Sequence, residues 1–97
     1  MRRVESVGFD AFEWDEVKAH WNYKKHAIRF EDAAAALSFP HLEEPSDRNG
    51  EKRTLAICPV AARIVAVVYT LRDDKCRIIS VRAARDYEQR EYRLVYP

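Results

Sequence analysis

In the stretch RIISVRAARDYEQREY, residues 77–92, Arg77 and Arg82 bracket a run of strand formers and Arg85 stands where helix formers take over. Arg53 begins an earlier strand-like run, KRTLAIC, and Arg63 begins another, IVAVVYTL. A guanidinium is planar, forked and permanently charged, which suits it to phosphate oxygens and to the extra charge of a pentavalent phosphorane. Strand geometry limits which of these arginines cooperate. Arg77 and Arg82 are five positions apart, so on an unbroken strand they point to opposite faces and only one faces a given cleft. Arg82 shares its face with Ile78 and Ser80 and the helix follows at once, which makes Arg82 the first choice and Arg77 the second. In that helix Ala84, Glu88 and Tyr92 form one i, i+4 stripe. Glu88 can do acid–base chemistry or simply pair with Arg82 or Arg85, and Tyr92 can donate a proton or simply pack its ring.

A second cationic group, Lys24, Lys25 and His26, closes the earlier run DEVKAHWNYKKH. The helix dipole favours cations there, so capping accounts for them as well as function does. Lys18, Asn22 and Lys25 fall at i, i+4 and i+7 and make one polar row on the same helix.

Other chemistries are excluded by what is missing. The two glycines, Gly8 and Gly50, are far apart and build no phosphate-cradling loop, so kinase and dehydrogenase readings drop out. His20, His26 and His41 lack the HExxH arrangement, and no metal or cofactor is expected. Cys58 and Cys76 sit in strand-like patterns without a CxxC pair and read as reduced core residues. A net charge of +1 from 17 basic and 16 acidic residues gives no global field for nucleic acid or membrane, so any basic site is local. With no long apolar run and no apolar leader core, the protein is expected in the cytoplasm, with no membrane partner.

The elements that must position these groups follow from periodicity. Ninety-seven residues make one domain, 1–97. After a short extended piece, Asp15 is a good N-cap for a helix to about His26, with Val17, Trp21 and Ile28 marking its buried side. FEDAAAALSFP predicts a second helix ending before Pro40, with Phe30, Ala33, Ala34 and Leu37 inward. HLEEPSDRNG, residues 41–50, collects turn formers and reads as a loop. Three strands joined by PVAAR and RDDK form an antiparallel meander with the doubly apolar middle strand at its centre, and a helix follows Arg82. The order β, α, α, loop, β, β, β, α defines an α+β fold, with N-terminal helices packed on the meander and a C-terminal helix.

Two of these segments carry a family resemblance. FEWDEVKAHWNYKKHAIRFEDA resembles the opening signature of BrnT-type toxins through Trp14, Asp15, Lys18, Asn22, Lys25, His26, Phe30 and Glu31. RIISVRAARDYEQREY resembles the family's ISxRxAxxxExxxY through Ile79, Ser80, Arg82, Ala84, Glu88 and Tyr92, and EKRTLAIC resembles its E-x-R strand. Ala27 and Cys58 stand where the family commonly has glycine; at a helix end that needs positive φ, alanine resists. The resemblance implies a type II toxin of RelE-like fold, a metal-independent endoribonuclease that inhibits translation. Its implied partners are an RNA substrate and a BrnA-like antitoxin with a ribbon-helix-helix part, operator DNA being reached only through that antitoxin. On this reading the catalytic candidates are Arg82, Lys25, His26, Arg53, Arg77, Glu88 and Tyr92, and the RNA-contact candidates are Lys18, Asn22, Lys24, Arg63 and Arg85. Acid and base stay open among His26, Glu88 and Tyr92. The alternatives are a non-catalytic RNA- or protein-binding module using the same groove, and a structural protein whose arginines are surface ion pairs.

Overall fold

The computed structural model describes residues 1–9 and 11–97. In chain order its elements are β1 (Arg2–Val4), β2 (Phe12–Glu13), α1 (Glu16–His26), α2 (Phe30–Ala36), β3 (His41–Pro45), β4 (Thr54–Val60), β5 (Arg63–Arg72), β6 (Lys75–Ala83) and α3 (Asp86–Val95). The strands form one sheet in the order β1-β3-β4-β5-β6-β2, antiparallel except where β2 lies parallel to β6. The architecture is the α+β one that the sequence predicts, with the meander β4-β5-β6 intact and β5 in the sheet's interior. Asp73 and Asp74, both at positive φ, supply the two-residue turn that twists β5 into β6.

Each face of the sheet has its own core. On one face Phe30, Ala33, Ala34, Ala36 and Leu37 meet Ala56, Cys58, Val65, Val67, Tyr69, Ile78 and Val81. The small alanines of α2 let that helix approach the strands closely. On the other face Leu42, Ile57 and Ala66 pack with Ala84 and with Tyr92, Val95 and Tyr96 from α3. β5 is apolar on both sides because it feeds both cores. Cys58 and Cys76 are free and buried, and burial, with the Glu43 charge behind it, pushes the Cys76 thiol up to about 12.

Three expectations are corrected. Residues 41–45 are strand β3, not loop, and β1 adds a further strand beside it. The polar composition of β3 is misleading because its inward side chains pair with one another. His41 Nε2 lies 2.8 Å from Glu43 Oε2, the Tyr69 hydroxyl donates to the same oxygen at 2.8 Å, and Arg2 reaches Glu43 Oε1 at 3.3 Å. Burial opposes the charge on Glu43, but the hydrogen bonds from His41 and Tyr69 outweigh it and hold the carboxyl below its ordinary pKa. The third correction concerns α1: Val17 and Trp21 are 66% and 65% exposed, while Ile28 is buried as expected.

α1 turns its other side inward because it lies along the edge of β6 beyond β2. An edge strand leaves backbone N–H groups unpaired, and Asn22 Oδ1 accepts one of them, from Val81, at 3.2 Å. Asp15 caps the helix, its Oδ1 accepting the N–H groups of Val17 at 2.8 Å and Lys18 at 3.1 Å. At the other end Ala27 adopts φ 57°, ψ 36°, and its N–H bonds to the Tyr23 carbonyl. A Cβ in this left-handed conformation costs roughly 1–2 kcal/mol, part of which glycine's greater freedom in the unfolded chain offsets. Ala27→Gly is therefore expected to stabilise the fold by roughly 0.5–1 kcal/mol. A thermal melt reads this as a rise of a few degrees; a fall would mean that the corner carries no strain.

Candidate active site

Strand β6 is not an unbroken strand. Val68 pairs with Ser80 and Tyr69 with Ile78, leaving Ile79 as an extra residue in a β-bulge. The bulge resets the alternation, so Arg77, opposite Thr70, and Arg82, opposite Ala66, project to the same face, the one that α3 covers in part. The expected choice between the two arginines thus falls away. They remain four positions apart along β5, roughly 13 Å at strand rise.

Arg82 is held by the start of α3. Its Nη1 and Nη2 donate to the two oxygens of Glu88 at 2.8 and 3.0 Å. The Glu88 side chain is 0% exposed and that of Arg82 is 27% exposed. Glu88 Oε1 also accepts the backbone N–H of Arg85 at 2.7 Å, which caps the helix. Burial works against the Glu88 charge, but Arg82 and the Arg85 N–H hold its carboxyl below the ordinary value, and the Glu88 hydrogen bond raises the pKa of Arg82. With both oxygens engaged and ionised, Glu88 has no proton to give. It fixes the fork of Arg82, whose Nη1 also donates to the Ala83 carbonyl at 3.2 Å, while the side chain as a whole stays partly exposed.

His26 comes to the same end of the sheet from α1. Arg63 Nη1 donates to the His26 carbonyl at 3.3 Å, tying the first residue of β5 to the last turn of α1. Burial lowers the pKa of His26, and the charges of Lys25, Arg82 and Arg63 lower it further. Both effects favour the neutral imidazole, the form that can accept a proton. Lys18, Lys24, Lys25, Arg63 and Arg85 are all exposed, and none joins an ion pair among the described residues. Asn22 is half-buried between them and the strand; its Nδ2 has no hydrogen-bond partner.

The remaining candidates lie elsewhere. Arg53 donates through Nε to Glu51 at 2.7 Å, Arg72 lies 3.7 Å from the same carboxylate, and Arg77 lies 3.6 Å from Glu13. These arginines form a second cationic group at the far end of the meander, away from His26 and Arg63. Tyr92 is committed to the core under α3, its ring 5.0 Å from that of Tyr96, and burial raises its pKa. The buried trio His41, Glu43 and Tyr69 escaped the sequence reading. The H-x-E spacing at residues 41 and 43 was its signal, since it puts both side chains on one face of a strand.

Among the described residues no group of three or more His, Cys, Asp or Glu side chains is placed to hold a metal ion. Among the described residues no helix is long and apolar enough to cross a membrane. The class these features define is a small α+β protein with a cation-ringed neutral imidazole, an arrangement that can accept a proton beside a phosphate ester and bind its oxygens.

Comparison with models of protein families makes this specific. Residues 14–88 match the family described as "Ribonuclease toxin, BrnT, of type II toxin-antitoxin system", and the chain belongs to that family. The match runs from the Trp14 that precedes the cap of α1 to the Glu88 that anchors Arg82, so it spans both segments of the site. Membership implies an RNA substrate and an antitoxin partner. Comparisons with curated proteins and with solved structures found no match.

Proposed function

We propose that residues 1–97 form a single toxin domain that acts as a metal-independent endoribonuclease, inhibits translation in the cytoplasm, and is neutralised by a BrnA-like antitoxin with a ribbon-helix-helix part. The fold is read as RelE-like on the same resemblance. The observation that carries the proposal is the meeting of His26, Arg63, Lys25 and Arg82 at one end of the sheet. In the reaction the ribose 2′-oxygen attacks the adjacent phosphorus, the bond to the 5′-oxygen breaks, and a 2′,3′-cyclic phosphate results. His26 takes the 2′-OH proton, while Arg82 and Arg63 neutralise the non-bridging oxygens as charge builds on them. Lys25, exposed on the same turn as His26, gives an ammonium proton to the departing 5′-oxygen, which leaves as a 5′-hydroxyl.

Glu88 acts through Arg82 as a positioning residue, and the Arg53–Arg77 group binds phosphates of the same strand further along. Expression of the chain alone is expected to arrest bacterial growth and lower bulk translation, with rescue by the co-expressed antitoxin. The purified protein is expected to cleave RNA in excess chelator and to leave cyclic phosphate ends. Normal growth at verified soluble expression, together with intact RNA in vitro, would overturn the proposal.

A further inference from the structure

The site above leaves one surface of α1 without a role. Trp21 is 65% exposed on the side of the helix that faces away from the sheet. The sequence of α1 puts Lys18 three positions before it and Lys24 and Lys25 three and four after it, so all three ammonium groups neighbour the indole on the helix surface. Residues 17–26, VKAHWNYKKH, contain no carboxylate. The two acids just before them are occupied: Asp15 caps α1, and Glu16 accepts the Trp14 indole N–H at 3.0 Å. His20 meets Trp21 edge-on, with centroids 5.5 Å apart and planes at 76°, which braces the indole. The other large aromatic of the helix is already used, because the Arg29 guanidinium lies 5.3 Å from the centre of the Tyr23 ring.

We propose that Trp21, with Lys18, Lys24 and Lys25, is a base-stacking subsite for single-stranded RNA, one that holds a nucleotide flanking the bond cleaved at His26. This rests on the ribonuclease reading above and names how the substrate is gripped. Aromatic rings bordered by lysines bind single strands because every base has a stacking face and every nucleotide a phosphate. A protein partner would want a broad apolar face, whereas among the described residues Val17 is the one other exposed apolar side chain one helical turn from Trp21, and Lys18, Lys24 and Lys25 border it. Lys25 belongs to both places, so a strand lying along α1 passes from the stacking subsite directly to His26.

The test compares Trp21→Ala, Trp21→Phe and Trp21→Leu, all at an exposed position that does not threaten folding. Binding is read by anisotropy of a labelled, uncleavable 2′-O-methyl oligoribonucleotide, and KM and kcat are read on cleavable RNA. Trp21→Ala is expected to weaken binding and raise KM about 5- to 150-fold, the range for loss of one stacked base. Its kcat should be unchanged, since the lost contact is the same in ground and transition states. Phe should restore most of the affinity and Leu should not, because a base needs a ring and not merely an apolar surface. Unchanged RNA affinity in Trp21→Ala, or full rescue by Leu, overturns the subsite. So does a Trp21→Ala protein that binds RNA normally but has lost its antitoxin, which would make this a protein-docking face. Wild-type protein that binds the oligonucleotide through Trp21 yet leaves RNA intact supports the subsite and sinks the cleavage chemistry instead.

Discussion

Arg82→Ala is expected to lower RNA cleavage about 10²- to 10³-fold and, separately, to lower the stability of the fold by about 3 kcal/mol. The two effects have different origins. The first, on the proposed chemistry, is loss of the positive charge that would stabilise the phosphoryl oxygens, for which deletion of an oxyanion donor is the nearest analogue. The second arises because Glu88, 0% exposed, loses both hydrogen bonds to Arg82 and remains a buried carboxylate with only the Arg85 N–H. Removing one partner of a buried pair costs about 3–5 kcal/mol, and the lower end applies because Arg82 itself is 27% exposed. For a chain of 97 residues that is a fall of roughly 10–25 °C in the thermal midpoint.

A purely catalytic Arg82 would leave stability unchanged on substitution, and a purely structural one would lose stability and activity together. The geometry shows the structural role, the pairing with Glu88, and the proposed catalytic role would come on top of it, so a single substitution does not separate them. Arg82→Ala with Glu88→Gln does. The glutamine oxygen can still accept the Arg85 N–H, but no charge is left stranded, so much of the stability should return while cleavage stays low. If the double variant regains activity together with stability, Arg82 is a structural arginine and the site must be sought elsewhere. Arg77→Ala should cost far less stability, because Arg77 and Glu13 are both partly exposed and 3.6 Å apart.

What the sequence revealed and what it hid divide along a physical line. Elements governed by local chemistry were legible: the Asp15 cap, the inward face Phe30, Ala33, Ala34 and Leu37 of α2, and the meander with its doubly apolar β5. Each depends on neighbours within a few residues. β3 was hidden because two of its three buried residues are His41 and Glu43, which join the core on the α2 face only through Tyr69 and Arg2, 26 and 41 positions from Glu43. The face of α1 was inverted for a similar reason. Val17 and Trp21 look inward by hydrophobicity, but a helix docked on a strand edge needs a hydrogen-bond acceptor there, and Asn22 supplies it to Val81. The bulge at Ile79 was invisible too, since residues 78–81, IISV, suit a regular strand, and one unpaired residue reverses every side chain on one side of it. The strand register sorts the site candidates into a group at His26 and another at Arg53 and Arg77, a division that spacing along the chain does not reveal.

Substitution of His26 by alanine should lower cleavage by about 10²- to 10⁴-fold, the usual contribution of a general base, with RNA binding largely kept. Loss of cleavage alone would not establish the role, and pH supplies the further test. A base must be neutral to work, so kcat/KM should rise with pH through the pKa of His26 and level off above it. Burial, then Lys25, Arg82 and Arg63, hold that pKa below 6.5, and the rising limb should therefore fall on the acid side of that value. Each neighbouring cation disfavours the protonated imidazole, so removing one must raise the pKa. Arg63→Gln should move the limb toward 6.5, and its activity relative to wild type should be lowest in mildly acidic buffer and recover as pH rises. Arg63 also bonds to the His26 carbonyl, and Lys25→Gln offers the same shift without touching that contact. A limb that stays in place in both variants, or that persists in His26→Ala, would assign the proton transfer to another group and leave His26 as a basic residue in the last turn of α1.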